Sequence, residues 1–407
     1  MGYTRHTISG ILWISLLRGI TRLITFVRLA ILGRLLTPLE FGFYGIASLI
    51  LTLLEIITET GINVFLVQHK GNIREYVSSA FVVSIIRGII LCIIIFTTAG
   101  LVSKFFNAPG AVQVIALTAI IPLMRGFINP AIVTFQKNLL FHKEFGLRSF
   151  LFMIDAFVSI FVGFITRSAS SFVWGMIASA FIEVILSYVL IPIWPKLSFE
   201  YKKVRHVILR GWWITLTGIF SYVADNGDNL VVGKLLGSSS LGIYQVAYKF
   251  STLPISEVTN VINQVIFPVY SKFPEDKIRL NKAFRKVAIV TSIAALVLGT
   301  IIFIFAYPIV IFVMGEQWVL AVPAIKILAI YGILRTLFGS FSPLFLALGR
   351  QDLDAKMTFV RAFGVVAFIA PLVSLYGMVG AGYAMLISVL IQIPVILYFT
   401  SKILKSK

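Results

Sequence analysis

Three arginines interrupt one apolar stretch near the start of the chain, ILWISLLRGITRLITFVRLAIL at 11–32. Arg18 and Arg22 are four residues apart and share a helical face, while Arg28 falls on a different flank. A guanidinium keeps its charge at any physiological pH and offers a planar fork of donors, which suits phosphate or carboxylate. The next apolar stretch carries Glu55 and Glu59, again four apart, with Thr52 and Asn63 close to the same stripe. Arg125 stands near the middle of a later stretch with no acid in its own run. In GWWITLTGIFSYVADNGDNLVVG, Asp225, Asn226, Asp228 and Asn229 crowd around Gly227. Glu257, Glu183 and Asp155 are further acids in apolar surroundings.

Two chemistries fit these residue types. Arginines in a wet cavity neutralise an anionic ligand, with the glutamates tuning or releasing them. Carboxylates beside amide oxygens carry a proton or hold Na⁺. A structural use competes with each. Arg18 and Glu55 fall at nearly equal depth on antiparallel helices, which is also the arrangement of an ion pair tying two helices together. The Asp–Asn cluster could equally hydrate a helix end.

These charges need an explanation because of what surrounds them. The 407-residue chain is 59% hydrophobic, and its mean hydropathy is +0.99. A soluble protein of this size needs far more polar surface. Apolar runs of bilayer length recur along it, and the period is helical, not the strand alternation of an outer-membrane barrel. The runs predict an all-α polytopic membrane protein with twelve spans: 8–32, 43–66, 79–102, 111–135, 148–166, 169–194, 211–232, 241–268, 284–307, 319–347, 357–375 and 379–400. A charge at the centre of such a span costs about 2.5–3.5 kcal/mol, so it needs a partner, water or a function. Charges near span ends, such as Lys326, Lys249 and Arg361, can snorkel to the interface.

Lysine and arginine crowd the termini and every second loop, most densely at 196–210 and 272–286. The loops on the other side hold Arg34, Lys104, Arg167 and Lys234. Both termini are therefore expected on the cytoplasmic side. The same asymmetry accounts for most of the +19 net charge and argues for anionic lipid, not nucleic acid, as what the basic face meets. No removable signal peptide is expected, because the first apolar run is long, carries arginines and lacks a small-residue cleavage site. The single Cys92 excludes an internal disulfide, and His6, His69, His142 and His206 show no metal-ligand spacing. GDNLVVGKLL imitates a phosphate loop but has Leu235 where Ser or Thr must hold Mg²⁺, and DLD at 352–354 has no catalytic domain around it. Neither an enzyme activity nor a cofactor is expected.

A phrase recurs without a gap. GRLLTPLEFGFY at 33–44 returns as GKLLGSSSLGIY at 233–244, each after a charge-bearing span. The register sets Asp228 at the position of Arg28. An even number of spans separates the copies, which predicts two six-helix lobes, 1–195 and 211–407, joined by a basic linker at 196–210 and related by an axis along the membrane normal.

The stretches GRLLTPLEFGFYGIAS, DNLVVGKLLGSSSLGIYQVAYKFSTLPISEVTNVINQVIFPVYSKFPED and MGEQWVLAVPAIKILAIYGILRTLFGSFSPLFLALGRQDLDAK closely resemble the Wzx-type oligosaccharide-lipid flippases of the MATE-like superfamily. FQKNLLFHKEF and the SFEYKKVRHVILRGWW approach to the seventh span fit too, so the resemblance runs through most of the chain in order. It implies a two-lobed fold with a central cationic cavity. It also implies movement of undecaprenyl-diphosphate-linked sugar units to the outer leaflet of a bacterial cytoplasmic membrane, by a chain working as a monomer beside glycan polymerase or export machinery. Under that reading Arg18, Arg22, Arg28 and Arg125 take the diphosphate. Asp225, Asp228, Glu55, Glu59 and Glu257 serve H⁺ or Na⁺ coupling, with Asp225, Asp228 and Asn229 as the Na⁺ set. Asp228 occupies the family's acidic position before VGKLLG, whereas Asp225 lies outside that motif. The competing transport reading is a MATE-type antiporter exporting small molecules. Such exporters usually handle cations, which an excess of arginines disfavours. A membrane scaffold without transport would leave the buried charges without a purpose.

Overall fold

The computed structural model describes the backbone over residues 2–59, 61–68, 71–198, 201–270 and 277–405. It describes side chains over 13, 15–59, 61–63, 65–67, 71–198, 218–257, 262, 266, 270 and 278–402. The side chains of the basic stretch 201–210, of His6, His69 and His206, and the loop 271–276 lie outside the described residues. Every regular element among the described residues is helical.

The chain divides into two compact units, 1–219 and 220–407. The first holds α1 (Gly2–Leu35), α2 (Pro38–Ile57), α3 (Ile62–Gln68), α4 (Arg74–Phe105), α5 (Ala111–Thr118), α6 (Ile120–Gly126), α7 (Thr134–Lys137), α8 (Phe141–Thr166) and α9 (Ser170–Val189). Helix α10 (Tyr201–Tyr270) enters the second, followed by α11 (Lys277–Ile304), α12 (Ala306–Val313), α13 (Val322–Gly339), α14 (Ser342–Ala347) and α15 (Gln351–Lys405). Short 3₁₀ turns at Pro130–Val133 and Glu316–Ala321 join neighbours.

Among the described residues, eight helical stretches are long and apolar enough to cross a membrane, or nine if the pair Ala111–Gly126 and Pro130–Lys137, bent by 71°, is one span. Two of them are continuous helices divided at a glycine, which is why apolar runs and helices do not correspond one to one. Gly237 breaks α10 with φ 84° and Gly377 breaks α15 with φ 60°, both in the left-handed region that only glycine enters without strain. Their outward faces carry large apolar side chains, such as Phe157, Phe161, Phe164 and Ile165 on α8 and Ile93, Phe96 and Leu101 on α4. Water would not tolerate such a surface; acyl chains do.

The repeated phrase now has a structural meaning. In the first copy α1 ends at Leu35, Thr37 caps α2 by accepting from the Glu40 amide, and Pro38 starts the new helix. In the second copy Gly237 stands at the position of Thr37 and turns the chain by its dihedral alone. Both copies encode a break after a charge-bearing helix, by different means.

Close packing fixes the first unit. Helix α8 lies along α1 and α9, and α4 along α6. A Cβ on Gly88 would stand 2.6 Å from the Pro122 carbonyl oxygen, and one on Gly126 would stand 2.9 Å from that of Ser84. Only hydrogen at both positions lets these backbones meet, and the contact sets the neighbouring Arg87 and Arg125 around one hollow.

Candidate functional site

The first unit encloses a cavity of about 490 Å³ whose charged lining is Glu55, Glu59, Arg87, Arg125, Arg148 and Glu183. Each arginine has a defined partner. The Arg125 Nη1 donates to Glu55 Oε1 at 2.6 Å, and Arg148 Nη1 donates to Glu183 Oε1 at 2.7 Å. Arg87 reaches the last turn of α2, where its Nε donates to Thr58 Oγ1 at 3.0 Å and its Nη2 to the Glu55 carbonyl at 2.7 Å. A cation at a helix C-terminus satisfies orphan carbonyls and the helix dipole together. The Arg125 side chain remains 43% exposed, so it is reachable from within the cavity. Three arginines face three glutamates, so the cavity is charge-balanced and not simply cationic.

This geometry revises the expected diphosphate set. The anticipated Arg18–Glu55 ion pair is not formed; Glu55 is taken by Arg125, because the α4–α6 contact carries Arg125 to the end of α2. Arg28 does not line the cavity. Its Nη1 donates to Asp155 Oδ2 at 2.5 Å, the pair is largely buried at 16% and 14% exposure, and the Phe172 ring lies 5.6 Å below the guanidinium. Arg18 and Arg22 are half-buried on α1 and are not among the residues lining this cavity. Glu59 lines the cavity and is exposed.

The second unit has its own cavity, about 630 Å³, and Asp225 lines it. Its Oδ1 accepts from Arg335 Nη2 and from Arg361 Nη2, each at 2.9 Å. Arg335 is further oriented through Nη1, which donates to the Tyr248 hydroxyl at 2.6 Å and the Tyr331 hydroxyl at 3.3 Å. Asp228 faces elsewhere. Fully buried, it accepts from the Tyr244 hydroxyl at 2.8 Å through Oδ2, and from the Asn229 amide N–H at 2.7 Å and Nδ2 at 2.9 Å through Oδ1. Asn229 Oδ1 is buried with no hydrogen-bond partner. The expected Na⁺ set of Asp225, Asp228 and Asn229 is thus divided: two arginines occupy Asp225, and Asp228 with Asn229 stays behind in the core. Glu257 is half-buried on α10 and is not among the cavity's lining residues. Among the described residues no group of three or more His, Cys, Asp or Glu could hold a metal ion.

The repeat relates a buried cation and a buried acid by position. Arg28 and Tyr44 in the first copy correspond to Asp228 and Tyr244 in the second. One copy closes its charge with Asp155 on a neighbouring helix, the other with the tyrosine hydroxyl of its own phrase. Outside the apolar spans, Asp352 of the DLD motif is held by the Arg350 fork at 2.9 and 3.0 Å. That hydrogen bonding holds its carboxyl below the usual carboxylate range.

The helical fold has counterparts among solved membrane proteins. The fold is similar to that of the Lipid II flippase MurJ in its inward closed conformation, with a TM-score of 0.80 at 15% identity, covering 96% of this chain and 87% of that one. It is also similar to an inward-facing multidrug resistance MATE family transporter of the MOP superfamily, with a TM-score of 0.67 at 18% identity over 98% of both chains. The family model described as "Polysaccharide biosynthesis protein" matches residues 31–323, and the chain belongs to that family. Among curated relatives, an uncharacterized membrane protein in the cps region of Klebsiella pneumoniae is 25% identical over 95% of this chain and 80% of its own. The lipopolysaccharide biosynthesis protein WzxC of Escherichia coli is 23% identical over 89% and 74%. The teichuronic acid biosynthesis protein TuaB of Bacillus subtilis is 23% identical over 86% and 73%.

Proposed function

We propose that this protein is a flippase, not an enzyme, and that it carries a polyprenyl-diphosphate-linked oligosaccharide across a bacterial cytoplasmic membrane by alternating access. The observation that carries the reading is the Arg125–Glu55 pair: a guanidinium at membrane depth, open to a cavity of about 490 Å³ and held by a single carboxylate. A diphosphate presents the oxygens that such a fork binds bidentately. Arg87 and Arg148 line the same cavity and supply further guanidiniums for the head group.

Charge balance sets the condition for binding. An ionised Glu55 about 4 Å from a phosphate oxygen would oppose it by roughly 4 kcal/mol per unit charge at an effective dielectric of 20. That is about a thousandfold in affinity, so Glu55 must let go of Arg125 when the substrate arrives. Re-formation of the Arg125–Glu55 pair then drives release. Asp228, buried beside the unsatisfied Asn229 oxygen, is a place where a proton would relieve an uncompensated charge, which supports H⁺ coupling.

Twelve spans in two six-helix lobes, with both termini cytoplasmic, complete the reading; the lysine and arginine asymmetry of the loops supports that orientation. The test is a flipping assay. In proteoliposomes bearing a fluorescent undecaprenyl-diphosphate oligosaccharide, a membrane-impermeant reductant should bleach the pool labelled in both leaflets. With this protein present the protected half should disappear; bleaching that stops at the same plateau as in empty liposomes contradicts the proposal.

A further inference from the structure

We infer that the cavity of the second unit binds a sugar-borne oxyanion, a carboxylate or phosphate on the glycan, and that Asp225 is the internal anion it displaces. The inference rests on the flippase reading and adds a second recognition site to it.

Two guanidiniums share one oxygen of Asp225, which leaves the trio of Arg335, Arg361 and Asp225 with an excess positive charge. The pose of Arg335 does not depend on that carboxylate, because the hydroxyls of Tyr248 and Tyr331 already hold its other arm. A preformed fork is what bidentate anion recognition requires. Asp225 and Arg335 are each about one-third exposed to the cavity, so their ion pair is the readily exchanged one, while Arg361, 12% exposed, holds the carboxylate from the inner side. The remaining wall suits a sugar ring. Phe338 and Phe341 offer aromatic faces, while Thr252, Ser256 and Thr358 offer hydroxyls. At about 630 Å³ the hollow is within the range that admits a drug-sized ligand. Asp354 also lines the cavity, so its two arginines face two carboxylates until Asp225 is displaced.

The experiment uses the full chain in lipid nanodiscs with four probes: trigalacturonate, glucose 6-phosphate, maltotriose and undecaprenyl diphosphate. Binding is read by equilibrium dialysis, and the site by protection of individual arginines from phenylglyoxal, resolved by mass spectrometry. Trigalacturonate or glucose 6-phosphate should bind at least tenfold more tightly than maltotriose and protect Arg335 and Arg361 but not Arg125. Whichever of the two protects identifies the oxyanion. Asp225→Asn should tighten that binding severalfold by removing the competing carboxylate, where a merely structural salt bridge would predict no gain. The inference is overturned if neither acidic sugar protects these arginines, if undecaprenyl diphosphate alone does, or if Asp225→Asn weakens binding. The footprint is read on the unmutated protein and so does not depend on the variant folding. Flipping that persists without any footprint removes this site and leaves the flippase reading standing; absence of flipping removes the reading itself.

Discussion

Replacing Arg125 with alanine is expected to stop glycan export while leaving the protein inserted and folded. Its guanidinium is 43% exposed in the first cavity and pairs with Glu55 alone, so truncation removes the fork without opening a core. Truncating one side of a desolvated charge pair costs about 2–5 kcal/mol. Applied to the substrate's diphosphate, that is a loss of more than roughly thirtyfold in affinity. Arg125→Lys should recover part of it, since the charge returns without the planar donors. Glu55→Gln should have the opposite character. Arg125 then binds the diphosphate without competition, but the carboxylate that recaptures it is gone, so binding persists and turnover falls. Accumulated lipid-linked glycan in the inner leaflet, quantified after extraction, reads the first two variants; binding and export measured together read the third. Equal loss of export in all three, with binding untouched, would assign the pair to packing.

Asp155→Leu is expected to destabilise the protein by about 3–5 kcal/mol, the cost of leaving a buried guanidinium without its partner. Asp155 and Arg28 are 14% and 16% exposed, and the pair fastens α8 to α1. Asp155 is also hemmed in by α9: a Cβ on Gly175 would stand 2.6 Å from its Oδ1, and Ser159 Oγ donates to the same oxygen at 3.3 Å. The double variant Arg28→Met with Asp155→Leu should regain most of the loss, because apolar groups of similar volume replace buried ion pairs at little cost. Thermal unfolding in detergent, followed across the cycle of single and double variants, measures the coupling. The same double variant also decides the role of Arg28. Retained export makes the pair structural; a stable double variant that exports nothing returns Arg28 to the substrate's path.

Composition made the class legible. Apolar runs of bilayer length could have no other home, and the repeated phrase at 33 and 233 marked two helix breaks that the structure resolves as a threonine cap and a left-handed glycine. Individual charged residues of the cavity walls were legible too, since Glu55, Arg125 and Asp225 stand out as charges in apolar runs. Their partners were not. Spacing of four reveals which residues share a face of one helix, but the ion pairs described in the two cavities join different helices: Glu55 with Arg125, Arg148 with Glu183, Asp225 with Arg335 and Arg361. Arg87 and Arg335 each lie in the middle of a predicted span, and that position was the available signal for both. Arg361 looked able to snorkel, yet its side chain is 12% exposed and turned inward to Asp225. Position along an apolar run was readable; the direction a side chain faces was not, because it depends on helix rotation set by contacts such as Gly88 against Pro122.

The central claim is that Arg125, released by Glu55, receives the diphosphate. The most direct measurement is the affinity of undecaprenyl diphosphate for the reconstituted protein, compared among the unmutated chain, Glu55→Gln and Arg125→Ala. If Glu55 competes with the diphosphate for Arg125, the glutamine variant binds more tightly than the unmutated chain and the alanine variant more weakly. An affinity that neither substitution changes would contradict it.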